Sequence, residues 1–131
     1  MVDVLRKELA MGFDEAVERV ERIIKEEGFS VLLTKSIDEI MKKKLGLADY
    51  PRYTIILGCA PELAKMALDV SKDVGNLFPC SFAVYEDDGG VFVSHVSIMR
   101  AAVELGLAPA DQMAPVIKRT GEKVHAAWDR F

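Results

Sequence analysis

Histidine and cysteine are scarce in this chain: among 131 residues there are two of each, His95 and His125, Cys59 and Cys80. So few ligands, with no paired spacing, argue against a zinc site, and the cysteines are too sparse for a disulfide-built secreted scaffold. No Cys-x-x-Cys occurs, which removes the thioredoxin-like redox motif. Positive charge is not in excess either. Lys and Arg number 17 against 21 for Asp and Glu, and the formal net charge of -4 offers no general attraction to phosphate backbones or anionic lipid. No apolar run approaches the roughly 20 residues of a membrane span, and Met1-Val2-Asp3 opens without the basic and apolar segments of an export signal. The expectation is a soluble, cytoplasmic chain with its cysteines as thiols, no metal, no cofactor, and neither nucleic acid nor membrane as partner.

What is present is enough for a single domain over residues 1–131, since a chain of this length buries about two-thirds of the surface it exposes when unfolded. Val2 to Ala10 alternates loosely and is read as a first strand. Phe13, Ala16, Val17, Val20, Ile23 and Ile24 recur at helical spacing, with Gly12 able to cap this helix and Gly28 to end it. Phe29 to Thr34 follows as a short strand. Ser36 and Glu39 have capping-box spacing and open a second helix, whose Ile37, Ile40, Met41 and Leu45 are expected on a buried side, with Lys42, Lys43 and Lys44 on a solvated one.

Tyr53 to Leu57 is apolar on both faces, as an interior strand would be. Pro61 suits the first position of a third helix, where its missing N–H costs nothing, and Ser71 to Pro79 reads as loop. Strands over Cys80 to Glu86 and Val91 to Val96 flank Asp87-Asp88-Gly89-Gly90, whose residues tolerate the positive φ of a tight hairpin. A short helix to about Leu105 and a longer one after Pro109 complete the chain. The last carries Met113, Ile117, Val124, Ala127, Trp128 and Phe131 as an apolar stripe.

Several of these segments together resemble the domain of unknown function 302 family over about residues 5 to 98. They are the Gly12-Phe13-Asp14-Glu15-Ala16 helix start, Glu26-Glu27-Gly28-Phe29, Leu57-Gly58-Cys59 with Pro61 and Leu63-Ala64, and Leu77-Phe78-Pro79-Cys80 leading into Val84-Tyr85-Glu86. Gly58-Cys59-Ala60-Pro61 is one residue shorter than the family's usual pattern and lacks its asparagine. The resemblance implies an α+β fold like that of the TATA-binding protein. Such a fold has a curved, mainly antiparallel sheet of about five strands with helices on one side, often in a homodimer, and no established activity attaches to it.

On an antiparallel sheet, Cys59 at the end of one strand and Cys80 at the start of the next share an edge, so Gly58, Cys59, Pro79 and Cys80 are the candidate ligand-binding residues. Cys59, just ahead of a helix N-terminus, has the setting of an activated thiolate, and equally that of a small buried residue closing a strand. Ser94 is adjacent to His95 only in sequence and points to the other face, while Ser97 shares His95's side. Glu86, Asp87 and Asp88 are read as solvated turn residues in preference to a cation site, and Gly58 alone is too little for a phosphate cradle. Trp128 and Phe131 either close the core or meet another subunit. The function expected is that of a small dimeric, non-enzymatic module binding a small ligand or a protein partner on the concave sheet or at the cysteine edge. The alternative is a thiol-dependent enzyme or redox protein using Cys59 and Cys80.

Overall fold

Fourteen residues with one apolar face make the first helix, α1 (Phe13–Glu26), which buries Phe13, Ala16, Val20, Ile23 and Ile24. It ends as its glycine requires. Gly28 adopts φ +95, so that its own N–H reaches the Lys25 carbonyl at 3.1 Å and the Phe29 N–H reaches the Ile24 carbonyl at 2.8 Å. The computed structural model describes residue 2 and residues 4–131; Met1 and Asp3, the latter inside the expected first strand, lie outside the described residues.

The strands are β1 (Val4–Leu9), β2 (Ser30–Ser36), β3 (Tyr53–Cys59), β4 (Cys80–Asp87) and β5 (Gly90–Val96), in the order β1-β5-β4-β3-β2. Every neighbouring pair is antiparallel, and β3 is interior as its apolar sequence requires. Asp87 pairs with Gly90 around a two-residue turn in which Asp88 and Gly89 take φ 50 and 83, both positive as a type I′ hairpin demands. Together with its helices the sheet makes an α+β fold.

Register decides which side chains meet the helices. Ile56, Phe82 and His95 lie across from one another on β3, β4 and β5, as do Thr54, Val84 and Val93. All six are buried on the face covered by α1 and by the end of α5 (Ala110–Trp128). A second core lies beyond the sheet's end, where Ala67 of α3 (Pro61–Val70), Met99 and Ala102 of α4 (Ile98–Glu104), and Met113 and Val116 of α5 come together. Pro61 is indeed the first residue of α3. The segment Ser71 to Pro79, expected as loop, contains a 3-10 helix, Lys72–Leu77, started by Ser71 Oγ accepting the Asp73 N–H and anchored by fully buried Val74.

The helix α2 (Ile37–Leu45) departs most from expectation. Its capping box does not form, because Ser36 Oγ donates instead to Asp38 Oδ1 at 2.8 Å, and that oxygen also accepts the Tyr53 N–H at 2.9 Å. Nor is any residue of α2 buried: of the expected stripe, Ile37 and Met41 are half-buried, and Ile40 and Leu45 are exposed. Trp128, by contrast, turns inward with only 9% of its surface exposed, and Phe131 packs edge-on against Phe82 with ring centres 6.0 Å apart.

Candidate functional site

The two cores meet where β3 ends and β4 begins. Gly58 and Cys80 are direct register partners, and Cys59, one residue further along β3, pairs with Ser30 of β2. The strand pairing thus brings Gly58, Cys59, Pro79 and Cys80 to one place, with the Phe78–Pro79 peptide in the cis form. Gly58 lies within the strand ladder, not in a phosphate-binding loop. A small void of about 20 Å³ beside these residues, roughly the room one water needs, is lined also by Leu63 of α3 and Thr120 of α5.

Neither cysteine is in a disulfide. Cys80 is buried, and removal from water, reinforced by neighbouring Cys59, pushes its thiol up to about 11. A thiol so placed stays protonated at neutral pH and is a poor nucleophile. Cys59 is partly accessible and stands two residues before the start of α3.

On the other side of Thr120 lies a larger cleft of about 200 Å³, between β5, the start of α4 and the middle of α5. His95 and Thr120 form its inner wall, at 4% and 3% exposure, and Ser97, Arg100 and His125 its polar rim. The imidazole of His95 is held firmly. Its ring stacks on Phe82 with centres 4.4 Å apart, and Nδ1 lies 2.8 Å from the Ser81 carbonyl oxygen, which can only accept, so Nδ1 carries the proton. Burial lowers the imidazole's pKa below its ordinary value, an effect opposed by the Ser81 bond and helped by His125, and the neutral ring therefore presents Nε2 as an acceptor.

Among the described residues two buried side-chain polar atoms lack a hydrogen-bond partner, Arg19 Nε and Thr120 Oγ1, and Thr120 lies in the site. Its Oγ1 is buried and has no hydrogen-bond partner, not even the carbonyl one turn back that helical threonines often use. A buried hydroxyl left unpaired costs free energy, so its presence in the wall shared by void and cleft calls for a reason.

The remaining sequence candidates fall elsewhere. Ser94 is on the opposite sheet face, whereas Ser97 and His95 line the same cleft, with Ser97 Oγ accepting the Arg100 N–H at 3.3 Å. Glu86 accepts the Arg52 N–H at 3.1 Å and Asp87 bonds Arg6 at 3.3 Å, so both carboxylates serve the frame of the sheet. Among the described residues no group of three or more His, Cys, Asp or Glu is arranged to hold a metal, and no helix is long and apolar enough to cross a membrane. Thr120 and Arg100 were not singled out from sequence. Thr120 carried a readable signal: it continues the spacing of Met113, Val116 and Val124 as a polar residue on an apolar stripe.

The comparisons agree with this architecture. The family model described as Domain of unknown function DUF302 matches residues 5–131, so its reach includes α4 and α5. A crystal structure of an uncharacterized conserved protein DUF302 from Bacillus stearothermophilus is similar, with a TM-score of 0.85, 24% identity, and coverage of 97% of this chain and 96% of that one. At that identity the likeness speaks for the fold alone. No curated protein matches the chain.

Proposed function

Because the chain belongs to the DUF302 family, whose description assigns no activity, we infer its function from the site: it is a dimeric, non-enzymatic module that binds a small molecule where the cysteine end of the sheet meets α5. The observation that carries this reading is the buried, unpartnered hydroxyl of Thr120, standing between the void beside Cys80 and the cleft beside His95. A ligand supplies the missing hydrogen bond. Gly58, Cys59, Pro79 and Cys80 form the apolar side of that junction, and their thiols are maintained in a reducing compartment such as the cytoplasm.

The second subunit belongs on the β2–α2 edge. Leu32, Leu33, Ile40, Leu45, Leu47 and Tyr50 are all exposed there, Leu45 at 68%, beside an edge strand with unpaired backbone groups. The helix has Asp38 and Glu39 in its first turn and Lys42, Lys43 and Lys44 in its last, so a two-fold axis beside its centre sets acid against base in both directions.

The thiol-dependent alternative rests on Cys59 alone, since Cys80 is held protonated. One experiment separates the readings. An isotope-labelled chain screened by NMR against a collection of small organic molecules should show binding shifts clustered around Thr120, with ordinary labelling of Cys59 by iodoacetamide. Failure of every compound to move Thr120, together with labelling of Cys59 at neutral pH much faster than that of a free thiol, would favour the enzyme.

A further inference from the structure

The cleft between β5, α4 and α5 has a definite arrangement of donors and acceptors. His95 belongs to its inner wall, and because the Ser81 carbonyl engages Nδ1 and Phe82 stacks on the ring, Nε2 is left as the imidazole's unused acceptor. In the same wall, the buried Thr120 hydroxyl has no partner, so both its donor and its acceptor capacity are unused. The rim offers donors. Arg100 is exposed at the mouth, and Ser97 uses its oxygen to accept the Arg100 N–H, which leaves its own O–H to donate. Leu5, Ile117 and Val124 supply apolar walls between rim and floor.

A ligand satisfying all of these groups must carry an anion for the rim, a hydrogen-bond donor for the floor, and an apolar body between them. The donor must be neutral, because an ammonium pushed in beside two histidines and an arginine, with no carboxylate lining the cleft, would lose its hydration without a counter-charge. A hydroxyl meets the requirement: it donates to His95 Nε2 and accepts from Thr120.

We propose that this cleft is a binding site for small α-hydroxy carboxylic acids, with the carboxylate at Arg100 and Ser97 and the hydroxyl between His95 and Thr120. At about 200 Å³ it is smaller than most drug-sized pockets, which suits a ligand of this class. The assignment rests on the reading of the domain as a small-molecule binder and adds the ligand's chemistry.

The test uses two acids that differ only in the α-hydroxyl, mandelate and phenylacetate, titrated by NMR into the full chain. Mandelate should bind at least tenfold more tightly, because phenylacetate leaves the floor groups unpaired, and its shifts should centre on His95 and Thr120. His95→Asn keeps a donor for the Ser81 carbonyl but removes the Nε2 acceptor, and should bring the two acids to equal affinity. Thr120→Val, close in volume and safe for folding, should weaken mandelate about tenfold and leave phenylacetate unchanged. Equal affinities in the parent chain would overturn the proposal, as would tighter mandelate binding that Thr120→Val does not reduce. Shifts confined to Cys59 and Cys80, with His95 unmoved, would remove this site but keep a ligand-binding module; no binding by these acids or by any compound in a broad screen would remove both.

Discussion

A hydroxyl kept for a ligand should be a burden on the empty protein. Thr120 is 3% exposed and its Oγ1 has no partner, so Thr120→Val deletes an unpaired polar atom at nearly constant volume. The substitution should stabilise the unliganded chain by about 1 kcal/mol or more in urea denaturation, in line with the cost of an unmade buried hydrogen bond. A loss of stability would mean that the hydroxyl has a partner in solution. Cys80 makes a prediction of opposite kind. Its folded pKa is raised to about 11 from an ordinary 9.0, so the folded chain holds its proton where the unfolded chain has lost it. The contribution is complete below pH 9, and disappears as pH rises through about 11, a fall of about 2 to 3 kcal/mol over that window. Cys80→Ala should flatten this part of the stability profile relative to the parent; parallel profiles would show that Cys80 is open to water. His95 has the reverse sign: its lowered pKa favours the folded state above the ordinary value of 6.5 and ceases to do so as the pH falls below it. The cysteines were legible in the sequence because each stands within two residues of a proline at a strand end. Thr120 was legible only as a polar residue on an apolar stripe; its missing hydrogen bond, like the place of Arg100 at the rim of a cleft, exists only once α5 and α4 are in place.

Single elements differ in how far their local sequence determines them. Helix α1 is nearly self-explanatory: its apolar period, its Gly12 start and its Gly28 exit are all local, and Ile24 at its buried end is fully covered. Ile24→Ala should cost about 2–5 kcal/mol, because the neighbouring position on β3 is Gly58, which has no side chain with which to fill the hole. An unchanged urea midpoint would place Ile24 outside the core. The β4–β5 hairpin and the Pro61 start of α3 were legible for the same reason, since residue types with few backbone options fix them. The 3-10 helix at Lys72–Leu77 was not, because what holds it is tertiary, Val74 dropping into the second core. For α2 the amphipathic face was legible as a pattern but its fate was not, since periodicity says which residues share a face and nothing about what covers it.

That uncovered face is a property of the whole molecule. The terminal aromatics do not account for a dimer: Trp128 lies in the sheet's core, Phe131 packs against it, and Lys7 Nζ donates to the Trp128 carbonyl at 2.6 Å. Cutting after Gly121 would remove Val124, Ala127 and Trp128, all buried, and so should unfold the chain itself. The useful perturbation is at β2 and α2, where a chain with a formal charge of -4 nevertheless has a helix acidic at one end and basic at the other. If two such helices pair antiparallel about a two-fold axis near Ile40 and Met41, Glu39 of each comes close to Lys42 and Lys43 of its mate. Sedimentation at micromolar concentration should give a dimer in the parent chain and a folded monomer for Leu33→Lys. Glu39→Lys should weaken the dimer about tenfold by opposing like charges twice, and adding Lys43→Glu to it should restore most of the loss, with both effects shrinking in high salt. A parent chain that sediments as a monomer would leave the β2–α2 face to a different partner. A dimer indifferent to Leu33→Lys and to both charge changes would put the subunit contact elsewhere on the fold.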